Sequence, residues 1–92
     1  MARNTRIQVT DEGVEIKILA PECKMKDIEI TTQDQWLTVD IPDNLFTGEI
    51  KYKDSFSNVL NVAKSTASLA DGVLTIKMPY VKEKKPNRIP IT

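Results

Sequence analysis

The sequence predicts an all-β fold, an antiparallel sandwich of two sheets built from about eight short strands. Apolar and polar residues alternate in short runs separated by turn residues, which is the pattern of strands with one buried face. Nowhere in the 92 residues do apolar positions recur with the period of an α-helix. A chain of this length fits one domain with a modest core, so association between copies is favoured on physical grounds.

Two hairpins account for the first half of the chain. The first joins residues 6–9 to 14–18 through a turn at 11–13, and the second joins 28–31 to 36–41. In each strand every second residue is apolar, so one face of each hairpin is expected to be buried. With the last strand included, the side chains expected in the core are Val14, Ile16, Ile18, Leu37, Val39, Leu74 and Ile76.

The second half continues the pattern. Residues 50–52 and 56–62 are expected to be strands, although Leu45 and Phe46 before them are large apolar residues in a loop that should be solvated. Two further strands meet at Asp71-Gly72, a dipeptide suited to the positive φ angles of a tight hairpin turn.

The balance of charge excludes some partners. Thirteen basic and thirteen acidic residues cancel, so the chain lacks the basic surface that nucleic acids or anionic membranes require. The one basic cluster, residues 82–88, is interrupted by Glu83 and Pro86, which favours a solvated tether. We therefore expect neither nucleic acid nor membrane as a partner.

Cysteine usage and hydropathy indicate a cytoplasmic protein. Cys23 is the single cysteine, so no disulfide can form within the chain, and a reducing compartment is the simpler assumption. Cys23 itself is better explained as an incidental thiol than as a redox switch. No apolar run is long enough to span a membrane, and residues 1–6 are polar, unlike a signal peptide.

The residue types do not suit an enzyme. Without histidine and with one cysteine, the usual transition-metal sites and imidazole-based nucleophiles cannot be built. The pairs Asp27 and Glu29, or Asp40 and Asp43, could act as acid and base, but outward carboxylates on strands are usually a solvated surface. The three glycines are too scattered to form a phosphate-binding loop. We expect no catalysis, no metal, no cofactor and no dependence on ATP.

Several motifs together resemble a known family. The spacing Ala-x-x-x-Asp-Gly-Val-Leu at 67–74, a strand that closes in Met78-Pro79, and the terminal Ile89-Pro90-Ile91 are similar to the alpha-crystallin domain of the small heat-shock proteins. Upstream, the similar segments are Ile18-Leu19-Ala20-Pro21, Lys26-Asp27-Ile28-Glu29-Ile30 and Trp36-Leu37-Thr38-Val39. The resemblance extends over residues 13–92, and its motifs are specific in combination.

The resemblance implies a fold and a function. The fold is an immunoglobulin-like β-sandwich of about seven to nine strands at residues 6–81, between a short N-terminal remnant at 1–5 and a C-terminal tether at 82–92. The function is that of an ATP-independent holdase, which binds non-native client proteins and assembles with copies of itself. The chain looks like a short member of the family that lacks most of the N-terminal arm.

The resemblance also assigns candidate interaction residues. The implied oligomerisation tail is Ile89, Pro90 and Ile91. The implied groove for this tail or for a client is formed by Ile28, Ile30, Ala67 and Leu69. Possible dimer contacts are Leu45, Phe46, Ile50 and Tyr52. A tail with two isoleucines held extended by Pro90 suits recognition by a groove between strands.

Two alternative functions are also compatible with the sequence. The same fold could serve as a structural or assembly subunit without binding clients, which the short N-terminus favours. It could also be a CS-type co-chaperone domain that binds a dedicated partner, although the Ile-x-Ile tail argues against this. For Trp36, capping the sandwich and facing a partner are equally supported.

Overall fold

The computed structural model describes residues 4–45 and 47–82, and it confirms the predicted antiparallel sandwich. Its seven strands are β1 Thr5–Thr10, β2 Gly13–Leu19, β3 Glu29–Gln33, β4 Trp36–Ile41, β5 Ile50–Ser55, β6 Thr66–Ala70 and β7 Val73–Pro79. Among the described residues, the helical segments are two single 3-10 turns, at Met25–Asp27 and Val62–Lys64.

The strands form two sheets of unequal width. The wider sheet has the order β1-β2-β7-β6, and the narrower sheet has the order β3-β4-β5. Both predicted hairpins are confirmed, since β1 pairs with β2 and β3 pairs with β4 in antiparallel register. In the third hairpin, Asp71 and Gly72 both have positive φ, 52° and 75°, which is the primed turn that the dipeptide predicts.

The core lies between the central strands of the two sheets. All seven side chains predicted to be internal are buried there. The residues that complete the cluster are Ala20, Ile28, Ile41, Ile50, Leu60, Val62 and Met78. The pairing of Ile16 with Ile76 joins the first and last thirds of the chain at the centre of this cluster.

The predicted strand at 56–62 is wrong. The segment makes a turn, with the Leu60 N–H donating to the Ser57 carbonyl, and then a single bridge between Leu60 and Tyr80. The Gln35 side-chain amide donates to the Phe56, Ser57 and Leu60 carbonyls at 3.3, 2.8 and 3.2 Å, so these carbonyls need no strand partner. Leu60 and Val62 alternate because both side chains are buried in the core, and not because the segment is paired as a strand.

The order of the connections places β3 and β6 on the same side of the sandwich. The turn at Val62–Lys64 contacts both β3 and β7 and then leads directly into β6. The opposite side is bordered by β5 and β1. Because the wider sheet has one strand more, β1 extends beyond the cover that the narrower sheet provides.

Gly13 is required by a close backbone approach. Its φ is 153°, and a Cβ atom at this position would collide with the carbonyl of Met78 in the neighbouring strand. Gly48 also has a positive φ, 70°, but among the described residues a Cβ there would meet only the Asp43 side chain, at an ordinary contact distance. Gly13 is therefore required because a side chain would not fit, whereas Gly48 is favoured by its backbone conformation.

We expect Gly13→Ala to destabilise the fold by about 1–3 kcal/mol more than Gly48→Ala does, because only the first change forces β2 away from β7. Urea unfolding of both variants measures the difference. Equal losses in the two variants would contradict the collision at Met78.

Candidate protein-binding edges

The four edge strands of the sandwich differ in charge. Strand β6 has no charged residue, and β3 has only Glu29. On the opposite side, β5 carries Lys51, Lys53 and Asp54, and β1 carries Arg6. An edge strand presents unpaired backbone N–H and C=O groups, and charged side chains are what usually protect it from pairing with another chain. The side of the sandwich bordered by β3 and β6 is therefore the more open to an added strand.

The predicted groove residues occupy this side. Leu69 on β6 pairs with the buried Leu74, and Ile30 on β3 pairs with the buried Val39, so both point toward the interior. Each is only partly buried and packs against the core cluster. Ile30 and Leu69 are thus apolar, inward-facing and incompletely covered side chains on the two edge strands of this side.

The other two groove candidates have different environments. Ala67 also lies on the inward side of β6, opposite the buried Ile76, and yet it is exposed. An exposed alanine on an inward face marks a stretch of the wider sheet that the described residues leave uncovered. Ile28 is buried just before β3 begins and belongs to the core cluster.

The β5 edge is protected by charge on both faces. Lys51 and Lys53 point outward, whereas Tyr52 and Asp54 lie on the inward face of the same strand. The Tyr52 hydroxyl donates to Asp54 Oδ2 at 3.3 Å. Burial, together with the charge of the neighbouring Asp54 carboxylate and the hydrogen bond to it, raises the pKa of Tyr52 to about 12. Tyr52 is therefore a neutral donor at physiological pH.

Trp36 lies on the outward face of the narrower sheet. It pairs with Gln33 and Ser55, its exposed fraction is 46%, and the Lys53 ammonium is 5.2 Å from the ring centroid. This cation–π contact covers part of the indole. Trp36 therefore does not cap the sandwich.

The residues predicted at a dimer contact are separated by the structure. Leu45, in the loop between β4 and β5, is 97% exposed, as its position in a polar loop predicts. Ile50 is buried opposite Ile41, and Tyr52 is partly buried against the core. Phe46 lies outside the described residues, and so do Ile89, Pro90 and Ile91 of the predicted tail.

The apolar surface of β1 is a feature that the sequence did not predict. Ile7 and Val9 pair with the buried Ile16 and Val14 but are 39% and 72% exposed, because β1 extends beyond the narrower sheet. Their alternation is the same as that of a covered strand. What distinguishes β1 from a covered strand is the unequal width of the two sheets. The residues of β1 alone contain no information about this width.

No group of three or more potential metal-ligating side chains occurs among residues 4–45 and 47–82. None of the helices in this part of the chain is long and apolar enough to cross a membrane.

The raised pKa of Tyr52 predicts a loss of stability at alkaline pH. The folded pKa, about 12, exceeds the unfolded value of 10.0, so the stabilising contribution is complete below pH 10 and is lost as the pH rises toward 12. We expect Tyr52→Phe to lose less stability than the unaltered chain between pH 10 and 12, measured by urea unfolding. Identical pH profiles for the two proteins would contradict the assignment.

Comparison with known proteins supports one family. The model of the Hsp20/alpha crystallin family matches residues 6–92. A small heat-shock protein from Xylella fastidiosa has a similar structure, with a TM-score of 0.80 and 17% identity over 100% of this chain and 97% of that one. Heat shock protein 16.0 from Schizosaccharomyces pombe gives 0.71 and 16% over 100% of this chain and 84% of that one. No curated protein sequence matches significantly.

A third similar structure is HSP18.5 from E. histolytica, with a TM-score of 0.73 and 13% identity over 95% of each chain. These structural likenesses establish the fold, and the family model covers nearly the whole sequence. The family consists of non-enzymatic chaperones, in agreement with the residue types of the chain. The chain thus belongs to the Hsp20/alpha crystallin family, the small heat-shock proteins.

Proposed function

We propose that the chain is an ATP-independent holdase that captures partly unfolded proteins at the side bordered by β3 and β6. The observation that supports this most directly is the charge-free β6 edge, together with the partly buried Leu69 on β6 and Ile30 on β3. An extended segment can pair its backbone with such an edge while its alternate side chains enter the groove. Such recognition requires only that every second residue of the segment is apolar. Segments of this kind occur in many different unfolded proteins.

The magnitude of the interaction makes the capture reversible. Burying two large apolar side chains contributes about 3–6 kcal/mol. Association costs about 4–15 kcal/mol before any net affinity appears. One segment in one groove is therefore weakly bound, and it is released without any input of ATP.

The C-terminal tail is proposed as a competing occupant of the same groove. Ile89 and Ile91 alternate as a client segment would, and the tether at 82–88, about seven residues, spans roughly 20 Å when extended. This reach suffices for docking on a second copy. Several weak tails acting together hold an assembly, while each individual groove still opens.

Self-association through a second surface is proposed from two exposed apolar features. Leu45 is almost fully exposed on its loop, and Ile7 and Val9 are uncovered on β1. Members of the family form oligomers and bind non-native clients, and the Xylella fastidiosa relative has a distinct high-order structure. We place the chain in the cytoplasm, where its single thiol would remain reduced.

A carboxylate in the groove tests the client site. We expect Ala67→Glu to lose most of its protection of an aggregating client in a light-scattering assay, because the charge would enter an apolar groove. Ala67 is exposed, so the fold should be retained. Thr75→Glu, on the outward face of the same sheet, is the matched control and should protect like the unaltered chain.

Two other results of this assay would count against the proposal. Full protection by Ala67→Glu would remove the groove as the client site. If the unaltered chain itself gives no protection, the alternative of an assembly subunit without client binding is the better account.

The tail is tested by assembly size. We expect the combined change Ile89→Gly and Ile91→Gly to reduce the solution mass to that of a dimer or monomer, while circular dichroism and melting cooperativity are unchanged. The combined change to valine, which keeps both positions apolar and β-branched, should retain the assembly. A solution mass that the glycine changes leave untouched would show that the tail does not dock.

A further inference from the structure

We propose that Gln35 sets the working length of the C-terminal tether, because it holds the turn at 56–60 in the position that anchors residues 79–81. The working length is the stretch of chain between the last anchored residue and Ile89. This inference rests on the proposed docking of the C-terminal tail. It assigns Gln35 as a positioning residue, which acts on the tail through the turn and the anchor.

Three carbonyl groups converge on the side-chain amide of Gln35. Its Nε2 donates to the carbonyls of Phe56, Ser57 and Leu60 at 3.3, 2.8 and 3.2 Å. The Phe56 N–H donates to the Gln35 carbonyl at 2.9 Å. The reverse orientation of the amide would bring its own oxygen against three carbonyl oxygens, so the donating orientation is strongly favoured. Gln35 therefore holds the segment at 56–60 with both its side chain and its backbone.

The tight turn between β3 and β4 fixes the position of Gln35. Gln33 and Trp36 are paired on either side of this turn, and Asp34 within it has a positive φ of 54°. A residue in a two-residue hairpin turn is held by the two strands that the turn joins. The clamp on 56–60 thus originates from a fixed part of the narrower sheet.

The clamped segment in turn anchors the chain where it leaves β7. The Asn61 N–H donates to the Pro79 carbonyl and the Val81 N–H donates to the Val59 carbonyl, both at 2.7 Å. These two hydrogen bonds lie on either side of the bridge between residues 60 and 80. Residues 79–81 are therefore held by a segment that Gln35 itself holds.

Loss of this anchor would lengthen the tether. Met78 is buried and paired within β7, so it remains fixed when residues 79–81 are released. The chain that precedes Ile89 would then change from 82–88 to 79–88, which adds about three residues and roughly 10 Å of reach. The effective concentration of the tail at a neighbouring groove falls as the tether lengthens, roughly twofold for this change. An intact anchor therefore keeps the tail concentrated near the grooves that a short tether reaches.

Two glutamines supply a matched pair of variants. Gln35→Met keeps the length of the side chain and removes its donor, whereas Gln33→Met makes the same change on the exposed outward face of β3. Gln35→Asn is a second variant of the clamp, since it keeps the amide and shortens its reach. Hydrogen exchange at the Asn61 and Val81 amides reports the anchor. Fluorescence energy transfer between two labelled populations of the full chain gives the rate of subunit exchange.

We expect Gln35→Met and Gln35→Asn to accelerate hydrogen exchange at both amides about tenfold, because the carbonyls of the turn lose a donor. The rate of subunit exchange should rise about twofold or more. Gln33→Met should behave like the unaltered chain in both measurements.

A deletion separates tether length from a general loosening of the domain. Removing residues 83–85 from the Gln35→Met chain restores the original number of residues between Met78 and Ile89 that are free to extend. Subunit exchange should return to the rate of the unaltered chain, while hydrogen exchange at Val81 stays fast. A loosened domain would not be corrected by a shorter tether.

Three outcomes would overturn the inference. If hydrogen exchange at Asn61 and Val81 is unchanged in both Gln35 variants, the clamp does not hold the anchor. If it accelerates but subunit exchange does not, or if the deletion does not restore subunit exchange, the anchor does not set the tether length. A failure of tail docking itself is recognised separately, because the glycine changes at Ile89 and Ile91 would then leave the solution mass untouched.

Discussion

The structure depends on the pairing of β2 with β7 at the centre of the wider sheet. This ladder brings Ile16 and Ile18 beside Ile76 and Leu74, and all four side chains are fully buried against the narrower sheet. It also joins segments that are some sixty residues apart, so loop closure must precede most of the apolar burial. The close approach of Gly13 to Met78 belongs to this same ladder.

The unequal width of the two sheets determines which apolar surfaces remain exposed. A three-stranded sheet cannot cover a four-stranded one, so the inward faces of β1 and β6 are both partly uncovered. On β1 the result is the exposed pair Ile7 and Val9, and on β6 it is the exposed Ala67 beside Leu69. The proposed client groove and the proposed dimer contact are therefore two consequences of one mismatch.

Local chemistry made the two-sheet fold and the Asp71-Gly72 turn predictable from sequence, because alternation and positive φ are properties of neighbouring residues. Leu60 and Val62 gave the wrong prediction of a strand, because residues of a turn that are buried in the core can alternate in sequence as residues of a strand do. The exposure of Ile7 and Val9 depends on the width of the opposite sheet, which no local pattern encodes. The edge residues Ile30 and Leu69 were assigned to a groove through the family resemblance, because alternation alone does not show which strands lie at a sheet edge.

The charges on β5 affect whether copies of the domain can add to one another through the edges of their sheets. A domain with a bare edge on each side could add copies without limit, as the strands of a cross-β fibre do. Here Lys51 and Lys53, together with the inward Asp54, make β5 a poor template for a further strand. Within the narrower sheet, strand addition is then favoured at β3, which carries one charge, and disfavoured at β5. Among the described residues, this sheet therefore lacks the bare edge on both sides that a growing fibre needs.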